Sequence, residues 1–142
     1  MTSFDLGEFL PYQLAAAAER VSRDFAERYR REFGISVPEW RVLAHLNQAD
    51  EVSVRDIEGR VAMEKSKVSR AASRLEAAGY VEKRVNELDR RLVSLSLTAK
   101  GRDLMTRLIP MALSFQTEMQ ARIGPDAVRL EVMLKRIMAE IK

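Results

Sequence analysis

Lys67, Arg70 and Arg74 recur at three- and four-residue intervals near the middle of the chain. The stretch that holds them, SKVSRAASRL (residues 66–75), contains no acid. Such residues recognise a polyanion. Lys and Arg displace counterions from phosphate, and Arg can grip the O6 and N7 of guanine with two parallel hydrogen bonds. Serine hydroxyls can bond a phosphate or a base edge. On a helical wheel Val68, Ala71, Ala72, Leu75 and Ala78 fill one arc, and Ser66, Lys67, Arg70, Ser73 and Arg74 fill the opposite one. Taken alone, this face also fits a merely solvated basic surface.

A second basic device follows directly. Asp89, Arg90 and Arg91 lie between two short segments, YVEKRV and LVSLSL, whose β-branched content and strict alternation predict a β-hairpin. An arginine at a hairpin tip can enter a minor groove, where the potential is most negative when the groove is narrow. An outward Asp would repel phosphate, so Asp89 is expected to hold an arginine in one rotamer. A polar loop with arginines for solubility is the plain alternative. Two basic devices that flank each other weigh against both plain alternatives.

Composition removes other chemistries. The 142 residues include no cysteine and one histidine, His45. That excludes thiol catalysis, disulfides, cysteine-based zinc sites and multi-histidine metal sites. The net charge is only +3, so an anion-binding surface must come from local clustering. Neither a signal peptide nor a membrane-spanning run is present, which predicts a cytoplasmic protein without a membrane partner. No glycine-rich phosphate loop, catalytic carboxylate pair or nucleophile–base pair is evident, so no enzyme and no cofactor is expected.

The elements that must position the basic residues can be read in order. Leu14, Ala18, Val21, Phe25 and Tyr29 make one stripe of a helix over 10–33, which Gly34 closes. Ser36 and Pro38 open a second helix to about Gln48, with Trp40, Leu43 and Leu46 as core residues. Ser53 caps a short third helix, with Asp56 completing the cap and Val54, Ile57 and Val61 buried. A turn at Ala62-Met63 leads to Glu64 and the basic helix, which ends at Ala78-Gly79. After the hairpin, Thr98 caps a helix to about Ile123, which Pro110 should bend. Gly124-Pro125 breaks the chain, and Asp126 opens a last helix striped by Leu130, Leu134, Ile137 and Ile141, widened by Met133 and Met138.

SKVSRAASRLEAAGYVEKR followed by DRRLVSLSLTAKG resembles the winged helix-turn-helix of the multiple antibiotic resistance regulator (MarR) family. LPYQL and VPEWRVLAHL are similar to that family's first two helices. The resemblance covers essentially the whole chain. It implies a mainly α fold with a small β-hairpin wing, and N- and C-terminal dimerisation helices. It also implies that Ser66, Lys67, Ser69, Arg70 and Arg74 lie on or beside the recognition surface. Asp89 and Arg91 match the wing's acid and minor-groove arginine, and Arg90 a further phosphate contact. The wing is short and has few other basic residues.

The terminal helices carry more apolar stripe than so small a middle unit can bury. A bundle shared by two subunits resolves this, with an intramolecular three-helix bundle as the alternative. The expected organisation is an N-terminal dimerisation helix (1–35), a winged helix-turn-helix (36–98) and C-terminal dimerisation helices (99–142) that complete one discontinuous dimerisation domain with 1–35. A homodimer would present two recognition helices to a pseudo-palindromic operator on double-stranded DNA. The resemblance further implies a repressor released by a small organic effector, aromatic or carboxylate. Arg41 and His45, four apart on the second helix, together with Tyr12, could receive such a ligand. A solvated flank and an interface tyrosine are the alternative. The competing function is a winged-helix protein-interaction module without sequence-specific DNA binding.

Overall fold

The computed structural model describes residues 3–49, 51–60 and 63–141. In chain order it contains α1 (Leu10–Phe33), α2 (Val37–Gln48), β1 (Val52–Ser53), α3 (Val54–Arg60), α4 (Lys65–Ala77), β2 (Val81–Val85), β3 (Val93–Leu97), α5 (Ala99–Ile123) and α6 (Ala127–Glu140). Short 3-10 turns lie at Leu6–Glu8 and Gly124–Asp126. The chain divides into two compact units, Met1–Leu108 and Ile109–Lys142. The division falls inside α5, which stays helical through Pro110.

Local chemistry sets the helix ends of the first unit. Gly34 closes α1 in the left-handed conformation, φ 68°, where a side chain would be strained. The Glu39 N–H donates to Ser36 Oγ at 3.3 Å, and the hydroxyl donates back to Glu39 Oε1 at 2.8 Å. The Asp56 N–H donates to Ser53 Oγ at 3.0 Å and so begins α3. Glu64 occupies the N-cap position of α4 but makes no side-chain capping bond. The expected Val61 and Ala62 positions lie outside the described residues.

Ser53 also belongs to a strand that periodicity does not reveal. The sheet has three antiparallel strands, ordered β1-β3-β2, rather than two. Val52 pairs with Leu95 and Ser53 with Ser94, while β2 and β3 pair from Val81–Leu97 to Val85–Val93. A two-residue strand is too short to show alternation; only its partner defines it.

The core of this unit joins α2, α3, α4, β3 and the start of α5. Leu43, Ile57, Val68, Leu95 and Leu108 are fully buried. Val42 is fully buried too, whereas Trp40 is only half-buried. Trp40 stacks on Tyr29 at 5.9 Å, and Phe25 meets both rings edge-on, at 5.3 and 5.0 Å. The expected stripe of α1 is buried only at Tyr29. Leu14, Val21 and Phe25 are half-buried, Ala18 is exposed, and Ala26 is buried in its place. The core reaches only the last turns of α1.

The second unit is the distal part of α5 and α6. Gly124, φ 78°, makes the turn between them. Among the described residues of this unit only Ala127 is buried. Met133, Leu134, Met138 and Ile141 of the expected stripe are exposed, and Leu130 and Ile137 are half-buried.

Candidate nucleic-acid interface

The wheel drawn from sequence holds for α4. Val68, Ala71, Ala72 and Leu75 are buried against the unit's core, at 0–2% exposure. Only Ala78, at the helix end, departs from it by being exposed. Ser66, Lys67, Ser69, Arg70, Ser73 and Arg74 are all exposed. The Arg70 Nε–H donates to the Ser66 carbonyl at 3.3 Å, which lays its guanidinium back along the helix. Neither Lys67 nor Arg74 makes a side-chain hydrogen bond or ion pair among the described residues.

The first turn of α4 carries Lys65 and Lys67 and no acid. Cations there oppose the helix dipole, whose N-terminal end is positive. Arg55 also lies in a first turn, that of α3, where Asp56 beside it offsets its charge. Residues that violate a local rule point to function, and a polyanion facing the first turn of α4 would reverse the sign of the effect.

The end of α4 is fixed to the wing and to α5. The Tyr80 N–H donates to the Leu75 carbonyl at 2.9 Å and the Gly79 N–H to that of Glu76 at 3.0 Å, with Gly79 at φ 85°. This is the double bond pattern of a Schellman cap. Thr98 Oγ1 accepts from the Gly101 N–H at 3.1 Å, capping α5, and donates to the Gly79 carbonyl. Lys100 Nζ donates to the Ala78 carbonyl at 2.6 Å and lies 4.7 Å from the centre of the Tyr80 ring. Lys83 of β2 reaches back to Ser73 Oγ at 3.3 Å and to Glu76 at 3.7 Å.

In the wing, Asp89 is bonded to Arg91. It accepts the Arg91 backbone N–H at 3.1 Å, Nε–H at 3.1 Å and Nη2–H at 3.2 Å. These bonds hold its carboxyl below the usual aspartate value, side-chain bond first and backbone bond second; slight desolvation opposes them, and the charge of Arg55 assists. Arg90 is exposed at the same tip and makes no ion pair among the described residues.

A crevice of about 300 Å³ separates α3 and α4 from the wing, with Arg55, Glu58, Lys65, Ser69, Lys83 and Arg91 in its lining. Four cations face one acid there. Arg55, Lys65 and Lys83 were missed from sequence. The signal for Arg55 and Lys65 was their place in helix first turns. Lys83 offered none, because only tertiary pairing turns it toward α4.

The three residues expected to receive a ligand divide differently. Arg41 and His45 are half-buried on α2, and the charge of Arg41 is felt by the Tyr29 phenol. Burial first, and then the charge of Arg60, push the His45 imidazole below its usual value, so it is neutral near pH 7. Tyr12 is exposed in the first turn of α1, about 25 Å along the helix from Tyr29. Tyr12 thus lies at the far end of α1 from the Tyr29 that senses the charge of Arg41.

A helix-turn-helix of α3 and α4, followed at once by an antiparallel wing, is the winged fold of a DNA-binding transcription regulator. Comparison with known proteins agrees. Residues 33–92 match the sequence model of the MarR family. The HTH-type transcriptional regulator YdgJ of Bacillus subtilis is 29% identical over 119 residues, 84% of this chain and 70% of that protein. A MarR family transcriptional regulator of Silicibacter pomeroyi superposes with a TM-score of 0.85 at 29% identity, over 99% of this chain and all of that one. BpsR of Bordetella bronchiseptica, whose DNA binding is regulated by 6-hydroxynicotinic acid, has the same fold: TM-score 0.83 at 22% identity, over 99% of this chain and all of that one. Residues 33–92 thus carry the MarR-family pattern on that family's fold, and members of the family are transcription regulators and not enzymes. No helix among the described residues is long and apolar enough to cross a membrane.

Proposed function

We propose that this regulator is a homodimer that represses transcription from a pseudo-palindromic operator and is released by a small aromatic or carboxylate molecule. The observation that carries the DNA part is the exposed face of α4 over residues 66–74, free of acids, beside a wing arginine held by Asp89. In this reading Ser66, Lys67, Ser69, Arg70, Ser73 and Arg74 enter the major groove. Arg91 enters the adjacent minor groove with Asp89 orienting it, and Arg90 contacts phosphate.

The dimer part rests on exposed apolar side chains near both chain ends. Phe4, Leu10, Val128, Met138 and Ile141 are 61–72% exposed. Burying such area is worth about 25 cal/mol per Å². Residues 1–35 and 99–142 would form one discontinuous dimerisation domain around the 36–98 DNA-binding domain. Two recognition helices would then lie about 34 Å apart, one DNA turn.

The effector part rests on Arg41, a fixed cation, next to a neutral His45 that can accept or donate. Tyr12 would come from the second subunit. The family-wide fold shared with BpsR suggests a hydroxylated aromatic acid as the first compound to try.

Selection of duplexes from a random pool tests the whole reading. A recovered site with two-fold symmetry is expected; unselective recovery would favour the protein-interaction module. Sedimentation equilibrium should give a dimer, and Leu134→Glu with Met138→Glu a monomer with much weaker DNA binding. Arg41→Ala should abolish release by a carboxylate effector while leaving DNA affinity intact.

A further inference from the structure

We propose that Leu88 is an apolar contact that the wing places against the sugar wall of the minor groove, alongside Arg90 and Arg91. This rests on the DNA-binding role proposed above and adds a non-electrostatic component to it. Leu88 is 99% exposed and has no part in the core. A lone surface leucine would need no explanation. This one sits at the apex of a loop whose backbone is pinned.

Asn86 Oδ1 accepts the N–H of Leu88 at 2.8 Å and of Asp89 at 3.1 Å. The Asn86 N–H donates to the Leu92 carbonyl at 2.9 Å, and the Leu92 N–H to that of Asp89 at 3.0 Å. With the Asp89–Arg91 bonds, every residue from 86 to 92 except Glu87 and Arg90 is tied within the loop. Presenting Leu88 on so fixed a turn would cost little further ordering entropy on binding.

The loop is also polarised. Arg91 lines the crevice toward α3 and α4, whereas Glu87 lines a separate crevice with Glu51 and Arg84. Leu88 lines neither crevice and forms an exposed apolar tip on the loop between Glu87 and Arg91. Val85 and Leu92, 49% and 40% exposed at the loop's base, extend the apolar character. A surface that joins guanidinium groups to an apolar tip matches a minor groove, whose mouth is phosphate and whose walls are deoxyribose carbon. Glu87, turned to the other side, would avoid the phosphates.

The test is the affinity of full-length protein for its selected duplex, measured across salt concentrations for the parent, Leu88→Ala, Leu88→Asn and Arg90→Ala. Both Leu88 variants should bind about tenfold more weakly, as expected for losing a half-buried leucine. Their log–log salt slope should equal the parent's, because no phosphate contact is lost. Arg90→Ala should flatten the slope by about 0.9. Thermal midpoints of the Leu88 variants should match the parent, since Leu88 touches nothing in the fold.

Unchanged affinity in both Leu88 variants would overturn the proposal while leaving the DNA-binding reading intact. So would a weaker affinity that comes with a flatter slope, or reduced self-association at unchanged DNA affinity, which would assign Leu88 to a second copy of the chain. A parent that ignored every duplex would remove both readings together.

Discussion

The Arg91 guanidinium and the Asp89 carboxylate form a two-pronged pair, Nε to Oδ1 at 3.1 Å and Nη2 to Oδ2 at 3.2 Å. Neither group is buried, so the pair does little for stability. Its consequence is directional. Arginine has several rotamers to lose on entering a groove, and this fork removes some of them in advance.

A charge-counting view predicts that Asp89→Ala, which removes an acid near phosphate, tightens DNA binding. Preorganisation predicts the reverse, about three- to tenfold weaker binding, the scale of immobilising one long side chain. Fluorescence anisotropy with the selected duplex decides between them. The pH dependence has a definite sign. The folded-state carboxyl titrates below the ordinary 3.8, so the fork is complete above that value and is lost as pH falls through the lowered one. A proton NMR titration of the Arg91 Nε–H should show it.

Arg70→Ala or Arg74→Ala should cost about 1–3 kcal/mol of operator affinity if the lost contact is a paired one to guanine. The loss should be specific: discrimination at one base position relaxes. Lys67→Ala should instead weaken binding to all duplexes alike and reduce the salt slope by about 0.9. Binding titrations on the selected site and on single-base variants separate the two outcomes. Unchanged affinity in all three would remove α4 from the interface.

Gly101 marks where α5 meets the turn after α4. A Cβ built there would lie 2.1 Å from the Tyr80 carbonyl oxygen, a backbone atom that cannot swing away. Gly101→Ala should therefore destabilise the fold by about 1–3 kcal/mol, as overpacking does. Thr98→Ala should cost about 1 kcal/mol through the lost cap. Urea denaturation measures both, and an unshifted midpoint for Gly101→Ala would contradict the close approach.

Tyr29 provides an alkaline marker for the aromatic cluster. Burial raises its phenol from the ordinary 10.0 to about 12, against the opposing charges of Arg30 and Arg41. The unfolded chain thus releases this proton before the folded one. Stability linked to Tyr29 is whole below pH 10 and declines between about 10 and 12. Tyr29→Phe should lack that component of the alkaline decline in chemical denaturation at fixed pH values.

Sequence by itself determined the features that close within a turn or two of chain. The α4 wheel repeats every three or four residues, and the Ser36 and Ser53 caps and the left-handed Gly34 and Gly79 join residues five or fewer apart in sequence. Their spacing alone says which atoms can meet. Tertiary structure decided what depends on distant partners. Strand β1 exists only because Val52 and Ser53 find Leu95 and Ser94, more than forty residues on. Arg55 and Lys83 join the basic crevice only because α3 and β2 converge on α4 and the wing. Tyr12 and Ala18 looked like parts of a site and a buried stripe, but both are exposed in the single chain. A helix's period names its apolar face; it does not say how far along that face a neighbour extends.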